Sequence, residues 1–108
     1  MEEITLYDKD GIAVAYIAPD EDYTIYLWNG RPIGYLHKYK YYAFDGHHLG
    51  WYSKGVIYDN EGVLLYCIEN KCSNIQPIHC EKQPKRRKPI RSIRHLAEER
   101  PIFKRYNY

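Results

Sequence analysis

Residues 45–52, DGHHLGWY, contain the side chains best suited to acid–base chemistry in this chain: Asp45, His47 and His48. A catalytic histidine needs a partner within hydrogen-bonding reach, and a Ser or Cys nucleophile needs a histidine that a third group orients. No spacing in the sequence marks such a set, so no catalytic residue is predicted and the chain is not expected to be an enzyme. We interpret His47 and His48 as solvated turn residues that a partner contacts.

Three residues further along have the chemistry of zinc ligands: Cys72, His79 and Cys80. Zinc takes four nitrogen or sulfur ligands, and Cys67, His47 or His48 would be the fourth. The neighbouring pair His79 and Cys80 forms an awkward chelate. We therefore expect neither a metal nor a cofactor, and a structural zinc site is the weaker alternative.

The DGHH motif belongs to an internal repeat of four segments, each centred on a glycine: Gly11, Gly30, Gly46 and Gly62. Three residues after the glycine stands an aliphatic residue: Val14, Ile33, Leu49 or Leu65. Four residues after it stands a small one in the first three segments: Ala15, Gly34 and Gly50. Five residues after it the same segments have an aromatic one: Tyr16, Tyr35 and Trp51. The pattern predicts four equivalent structural units.

Each unit is predicted to be a β-hairpin, because Asn-Gly and Asp-Gly are the strongest short signals for the turn between two antiparallel strands. Four hairpins give about eight short strands. A single hairpin is marginal in water, so the units must bury their faces against one another. Closure into a ring removes exposed strand edges, and eight strands match the size of a small closed barrel. We predict an all-β barrel with approximate fourfold symmetry.

The alternation of side chains along a strand places positions three and five after the glycine on one face, and positions four and six on the other. The small residues at position four are explained by crowding where four strands approach a common axis. The fourth unit has Tyr66 at this position. Either its turn is one residue shorter, or Tyr66 fills the central space that the small residues leave.

The barrel is predicted to span residues 1–72, and residues 73–108 form a basic tail with prolines at 84, 89 and 101. Ile90, Ile93 and Leu96 recur at every third position, which favours an extended, polyproline-like segment that lays this apolar edge on a surface. The alternative is a short helix from Ser92 as N-cap to about Arg100.

The net charge of +2 is unevenly distributed: residues 1–71 carry 6 Lys and Arg against 11 Asp and Glu, and residues 72–108 carry 10 against 3. Opposite charge favours docking of the tail on its own barrel or on a neighbour, with Phe103, Tyr106 and Tyr108 as anchors. The alternative partner is a nucleic acid or another anionic surface. Its predicted contacts include Arg86, Arg87 and Lys88.

Neither an export signal nor an apolar run of about 20 residues is seen, so we expect a cytoplasmic protein without a membrane span. Three cysteines are an odd number, and reduced thiols are expected in that compartment. Tyr39, Tyr41 and Tyr42 are candidates for an aromatic binding surface.

The motifs DGIAVAYI, IYLWNG, HLGWY and VIYDNEG, followed by a KPIRSI and RPIF tail, resemble the bacterial 4-fold β-flower proteins over nearly the whole chain. The resemblance implies a shallow, pseudo-fourfold all-β barrel and no assigned enzyme activity. The expected function is therefore a non-enzymatic binding or protein-interaction module. Its partner would be an unidentified protein or small ligand, and self-association is expected through an open barrel face or exchanged tails.

Overall fold

A computed structural model describes residues 2–103. Residues 4–67 form a closed barrel of eight antiparallel strands, in which each strand pairs with the next along the chain and β1 pairs with β8. The strands are β1 Ile4–Tyr7, β2 Ala13–Ile17, β3 Thr24–Leu27, β4 Pro32–His37, β5 Lys40–Tyr42, β6 His48–Ser53, β7 Val56–Asp59 and β8 Leu64–Cys67. A single 3-10 turn, Glu69–Lys71, follows. The predicted architecture is confirmed. Within residues 2–103 no helix is long and apolar enough to cross a membrane.

The four hairpins are β1–β2, β3–β4, β5–β6 and β7–β8, and in each of them a side-chain oxygen accepts a backbone hydrogen bond within the turn. In the first turn the Asp8 carboxylate accepts hydrogen bonds from the backbone N–H groups of Asp10 and Ile12, at 2.9 and 3.0 Å. Asp59 does the same in the fourth turn. Asp45 of the DGHH motif and Asn29 stand instead directly before the turn glycine, and each accepts one such bond.

Each hairpin also contains a β-bulge at the same place. In hairpin 1 Leu6 pairs with Ala15 and Tyr7 pairs with Ala13, so Val14 is the extra residue. The same shift occurs in the other three hairpins, with Ile33, Leu49 and Leu65 as the extra residues. All four extra residues pack against the central core. The assignment of positions three and five to one face is therefore wrong, because a bulge interrupts the alternation.

Tyr66 pairs with Ile57, as Gly50 pairs with Tyr41 one hairpin earlier. The fourth hairpin thus has the same register as the others, and the shorter turn considered from the sequence is wrong. Crowding at the axis is also not what excludes a side chain at Gly50. A Cβ atom there would lie 2.0 Å from the backbone oxygen of Tyr58, on the neighbouring strand.

The core inside the barrel is built from aliphatic residues and one tyrosine: Leu6, Ala15, Ile17, Ile25, Tyr41 and Ile57. Tyr66 packs against this group. Burial raises the pKa of Tyr41, and the neighbouring Tyr66 adds to this effect. Tyr41 was expected on a binding surface, which is wrong: it fills the barrel, because the register of β5 turns its side chain inward.

Residues 74–103, which we call the girdle, run around the outside of the barrel past the four hairpin turns in sequence order. The girdle carbonyl oxygens of Asn74, Pro84, Ile93 and Ile102 lie against the turn glycines Gly11, Gly30, Gly46 and Gly62. A Cβ atom at any of these glycines would lie 1.9–2.2 Å from that oxygen. Each glycine also has a φ between 79° and 97°. The glycines thus serve both the turn and the approach of the girdle.

Backbone hydrogen bonds fasten the girdle to the turns. The N–H groups of Gln76, Arg86 and His95 donate to the carbonyls of Gly11, Gly30 and Gly46, at 2.9, 2.9 and 2.8 Å. From Pro84 to Ile93 to Ile102 the girdle advances by nine residues, while the barrel advances by sixteen. The tail thus has its own period, matched to that of the hairpins.

The apolar edge of the tail does not face its own barrel, so contact of this edge with another surface stays a prediction. Ile90, Ile93 and Leu96 are 95%, 91% and 94% exposed. The inward side of the segment is occupied by backbone donors instead, since Ser92 N–H bonds to Phe44 O and His95 N–H to Gly46 O. No residue from 74 to 103 is helical, so the helix from Ser92 is not formed. Tyr106 and Tyr108 lie outside the described residues.

Cys67 and Cys72 form a disulfide, with their Cα atoms 5.6 Å apart. Cys67 lies on the outside of β8, and the 3-10 turn brings Cys72 back over it. The expectation of reduced thiols is therefore wrong for this pair, because the fold places the two residues at bonding distance. Cys80 is free and exposed.

Candidate functional site

The histidines of the DGHH motif have different surroundings. His47 is exposed, and its Nδ1 lies 2.9 Å from the Asp45 carboxylate, with the His95 ring 4.5 Å from its own ring. The backbone N–H of His47 and its side chain hold the pKa of Asp45 below its usual range. Asp45 thus orders the turn that contains it.

His48 is buried and faces the girdle, which corrects its interpretation as a solvated partner contact. Its Nδ1 accepts a hydrogen bond of 2.9 Å from the backbone N–H of Glu98. The Trp51 ring packs edge-on against the imidazole, with the centroids 4.9 Å apart. Burial lowers the pKa of His48 and favours the neutral form that accepts this hydrogen bond. His48 therefore holds the girdle on hairpin 3.

The aromatic residues at position five form the outer wall of the barrel, and girdle cations cover them. Lys82 lies 4.3 Å from the Tyr16 ring centre, Arg91 lies 5.1 Å from Tyr35, and Arg100 lies 5.9 Å from Trp51. These cations are nine residues apart, like the glycine-contacting carbonyls of Pro84, Ile93 and Ile102. On hairpin 4 the girdle supplies Phe103, whose ring stacks on Tyr58 at 4.3 Å.

Acidic residues of the barrel neutralise other parts of the girdle. Lys82 and Lys85 both pair with Glu3, and their hydrogen bonds lower the pKa of that carboxyl. Lys88 lies 3.2 Å from the Asp20 carboxylate and 3.5 Å from that of Asp22. The barrel itself pairs with Lys88, and the interpretation of this residue as a partner contact stays a prediction.

Arg86 and Arg87 differ from these lysines. Both side chains are exposed, and neither forms an ion pair with another residue in the part of the chain that the structure describes. Their interpretation as partner contacts stays a prediction.

The zinc candidates are not brought together. Cys72 is bonded to Cys67, which removes its thiolate from metal binding. His79 and Cys80 lie on the exposed girdle. Among residues 2–103 no group of three or more His, Cys, Asp or Glu side chains is placed to hold a metal ion.

A different site lies at the barrel end opposite the hairpin turns, and we call it the mouth. It is a depression of about 290 Å³ lined by Ile4, Ile17, Tyr23, Leu36, Lys38, Tyr39 and Tyr52. Its apolar floor comes from the ends of β2 and β4. Apolar lining with few polar groups is the usual character of a ligand site.

Tyr39 is the most exposed aromatic residue of the mouth, and it shares a left-handed backbone with Tyr23 and Lys38. Its side chain is 73% exposed, and its ring lies flat against Tyr52, with centroids 6.5 Å apart and 12° between the planes. Its backbone has a φ of +63°, a left-handed conformation that bulky side chains rarely adopt. The N–H of Tyr52 donates to Tyr39 O at 2.8 Å and holds the turn in place.

The next hairpin connection provides an internal comparison. Gly55 stands sixteen residues after Tyr39, and its carbonyl likewise accepts a hydrogen bond, of 2.9 Å, from the N–H of Ile68. Glycine adopts such a φ without strain. A tyrosine in the same turn costs backbone energy and exposes an aromatic ring.

Sequence reasoning grouped Tyr39 with Tyr41 and Tyr42 because the three are close in the chain. The structure separates them: Tyr41 is inside the barrel, and Tyr42 stacks on Tyr35 outside it, 5.8 Å between centroids. The signal that distinguishes Tyr39 is the sixteen-residue spacing of Tyr23, Tyr39 and Gly55. The turn glycines Gly30, Gly46 and Gly62 have the same sixteen-residue spacing at the other end of the barrel.

The chain was compared with known families, curated proteins and solved structures. The family model described as 4-fold beta flower protein matches residues 4–106. No curated protein and no solved structure matches.

Proposed function

The chain belongs to the 4-fold beta flower protein family, and we propose that it is a non-enzymatic binding module that takes its ligand at the mouth of the barrel. The ligand is a small molecule or an apolar group of a protein partner. The DGHH motif has a structural role in this proposal, because Asp45 orders a turn and His48 holds the girdle.

The observation that carries the proposal is the geometry of Tyr39. A left-handed backbone at a non-glycine residue is stored strain of about 1–3 kcal/mol, and such strain concentrates at functional sites. Here it presents an exposed ring over an apolar depression and beside a second ring, Tyr52. Tyrosine suits this position in a binding site, since it offers a large contact area with a polar tip.

Binding of nucleic acid through the basic tail is less well supported by the girdle. Lys82, Lys85, Lys88 and Arg91 each contact a carboxylate of the barrel. A cation that is already paired must give up its carboxylate before it neutralises a phosphate, so it adds little to the affinity for nucleic acid. Tail binding would still show a log–log salt slope of about −0.9 for each phosphate neutralised, and no binding at about 50 mM salt would exclude it.

The expected cytoplasmic location and self-association stay predictions. The Cys67–Cys72 disulfide favours an oxidising environment instead, since reducing compartments keep most thiols free. Light scattering with and without residues 82–108 tests whether copies associate through exchanged tails.

The probe for the proposed function is N-phenylnaphthylamine, a neutral apolar dye whose fluorescence rises in an apolar site. We expect saturable binding to the intact chain and a loss of at least about tenfold in affinity for Tyr39→Gly, which reproduces the turn of Gly55. Phe103→Ala, on the girdle, is the matched aromatic control and keeps the binding. Equal affinity of Tyr39→Gly and the unmodified chain would exclude the mouth as the site.

A further inference from the structure

A second depression adjoins the mouth on the other side of the Tyr39–Tyr52 stack. Its volume is about 420 Å³, and its lining consists of Lys38, Tyr39, Lys40, Trp51, Tyr52, Ser53, Lys54 and Arg100. It shares Lys38 and the two stacked rings with the mouth. One aromatic wall therefore separates an apolar compartment from one with a different chemistry, which we call the cationic compartment.

Four of the eight lining residues of the cationic compartment are positively charged, and none is acidic. In residues 2–103 no Asp or Glu forms an ion pair with Lys38, Lys40, Lys54 or Arg100. The girdle lysines at 82, 85 and 88 are each paired, so the chain has carboxylates for cations elsewhere. Here the positive charges are left for an external anion.

The backbone fixes where these charges stand. Lys38 and Lys54 open equivalent turns, and both have left-handed φ values, 49° and 50°. Lys40 and Arg100 approach the Trp51 ring, with distances of 6.0 and 5.9 Å to its centre. The pKa of the neighbouring His37 is lowered, first by burial and then by positive charges that include Lys38 and Lys40.

We infer that the mouth and the cationic compartment together bind a small amphipathic anion: an apolar or aromatic body with a carboxylate, sulfonate or phosphate group. The body lies on the Tyr39–Tyr52 stack and the apolar floor, and the anionic group lies among Lys40, Lys54 and Arg100. This inference rests on the proposed function, since the mouth must hold the body.

The size of the two compartments favours a small molecule. Each has the volume of an ordinary small-molecule pocket, and the apolar and cationic parts adjoin. Arg100 belongs to the girdle, which passes along the edge of the cationic compartment. A hydrogen bond to the charged group is expected to raise the affinity by about tenfold or more.

Two dyes that differ only in one sulfonate test the inference. Anilinonaphthalene sulfonate is the anionic counterpart of N-phenylnaphthylamine. At low salt we expect the sulfonate to bind at least about tenfold more tightly than the neutral dye. We expect Lys54→Asn, whose asparagine tolerates the left-handed backbone, to weaken the sulfonate alone by about threefold to tenfold. Lys9→Gln, on an exposed hairpin turn away from the site, is the charge-matched control.

The outcomes separate this inference from the proposed function. Equal affinity of the two dyes, with both lost in Tyr39→Gly, overturns the anion site and leaves the mouth as a binding site. Sulfonate binding that is insensitive to Tyr39→Gly overturns both. Sedimentation with vesicles of anionic phospholipid, without binding of monomeric dye, overturns the inference in favour of a membrane surface. Tight binding of a single-stranded oligonucleotide in place of the dye overturns it in favour of nucleic acid.

Discussion

The hairpin-turn side of the barrel and the mouth side differ in how far the rest of the chain covers them. At the turns, the girdle covers each glycine, and its cations cover the outer aromatic residues. At the mouth, Tyr39 is exposed in a strained turn, and the four nearby cations have no carboxylate partner within the described chain. One side is closed by the chain itself, and the other is open.

This difference separates residues that build the fold from residues available to a ligand. Aromatic rings and positive charges occur on both sides, so composition does not distinguish them. On the girdle side many of these groups have a partner inside the chain: Tyr35 contacts Arg91, and Lys88 pairs with Asp20. Arg86 and Arg87 are the exceptions among the described girdle residues named above. At the mouth the aromatic rings and the positive charges contact only each other. Which residues are available to a ligand therefore depends on which aromatic and charged groups lack a partner within the described chain.

The largest effect is expected from breaking the contact between girdle and turn. In Gly46→Ala the new methyl group would meet the Ile93 carbonyl oxygen at 2.1 Å, and alanine resists the φ of +97°. We expect a loss of about 3 kcal/mol in the free energy of unfolding, measured in urea. Gly55→Ala is the control, because its neighbours are flexible side chains of Ile68 and Lys71. We expect it to lose only about 1 kcal/mol. Equal losses in the free energy of unfolding of the two variants would show that the girdle contact contributes little to stability.

Opening the disulfide is expected to have the next largest effect, because it frees the chain at the start of the girdle. The bond joins residues only 5 apart in sequence, and closure of so short a loop is worth about 2 kcal/mol. We expect a reductant to lower the Tm of the unmodified chain. The double variant Cys67→Ala, Cys72→Ala should show no response to reductant, and a Tm of the unmodified chain that ignores reductant would contradict the bond.

Tyr39→Gly is expected to change stability by less than about 1 kcal/mol, because relief of the left-handed strain offsets the lost stack on Tyr52 and the greater freedom of the unfolded chain. Binding of both dyes should nevertheless be lost. Urea unfolding and dye titration on the same sample check this combination. A large loss of stability would place Tyr39 among the residues that build the fold.

The smallest effect concerns His48 and pH. Its pKa in the folded chain lies below the ordinary value of 6.5, chiefly because of burial, with Lys40 and Glu98 as the nearby charges. The unfolded chain therefore binds the proton more readily, so His48 contributes stability above pH 6.5 that is lost as pH falls through the folded pKa. His48→Asn, which retains an acceptor for Glu98 N–H, should flatten this part of the stability profile. An unchanged profile would contradict the role given to His48.

The sequence predicted the eight strands and their closure because the turn glycines and the alternating pattern are local signals. It did not reveal the bulges, since a bulge at Val14 depends on how β1 pairs with β2. The outward direction of the Ile93 side chain depends on the docked arrangement in the same way. The period of three in Ile90, Ile93 and Leu96 predicts an extended segment, and the segment is extended. Its backbone N–H donors, rather than its apolar edge, face the barrel.

The candidate site was harder to predict than the fold. Tyr39 and Tyr41 are two residues apart, yet one is exposed at the mouth and the other is buried in the barrel. The absence of a carboxylate partner for Lys54 likewise depends on the three-dimensional arrangement of the whole described chain. Only the sixteen-residue spacing of Tyr39 and Gly55 could have drawn attention to the turn.

Mapping of amide NMR shifts during titration with the sulfonate dye tests the contrast between the closed side and the open side most directly. We predict shifts concentrated at residues 36–40 and 51–55 around the mouth, and little change at residues 84–96 of the girdle. Shifts centred on Ile90, Ile93 and Leu96, with the mouth unaffected, would contradict the account and place the binding surface on the girdle.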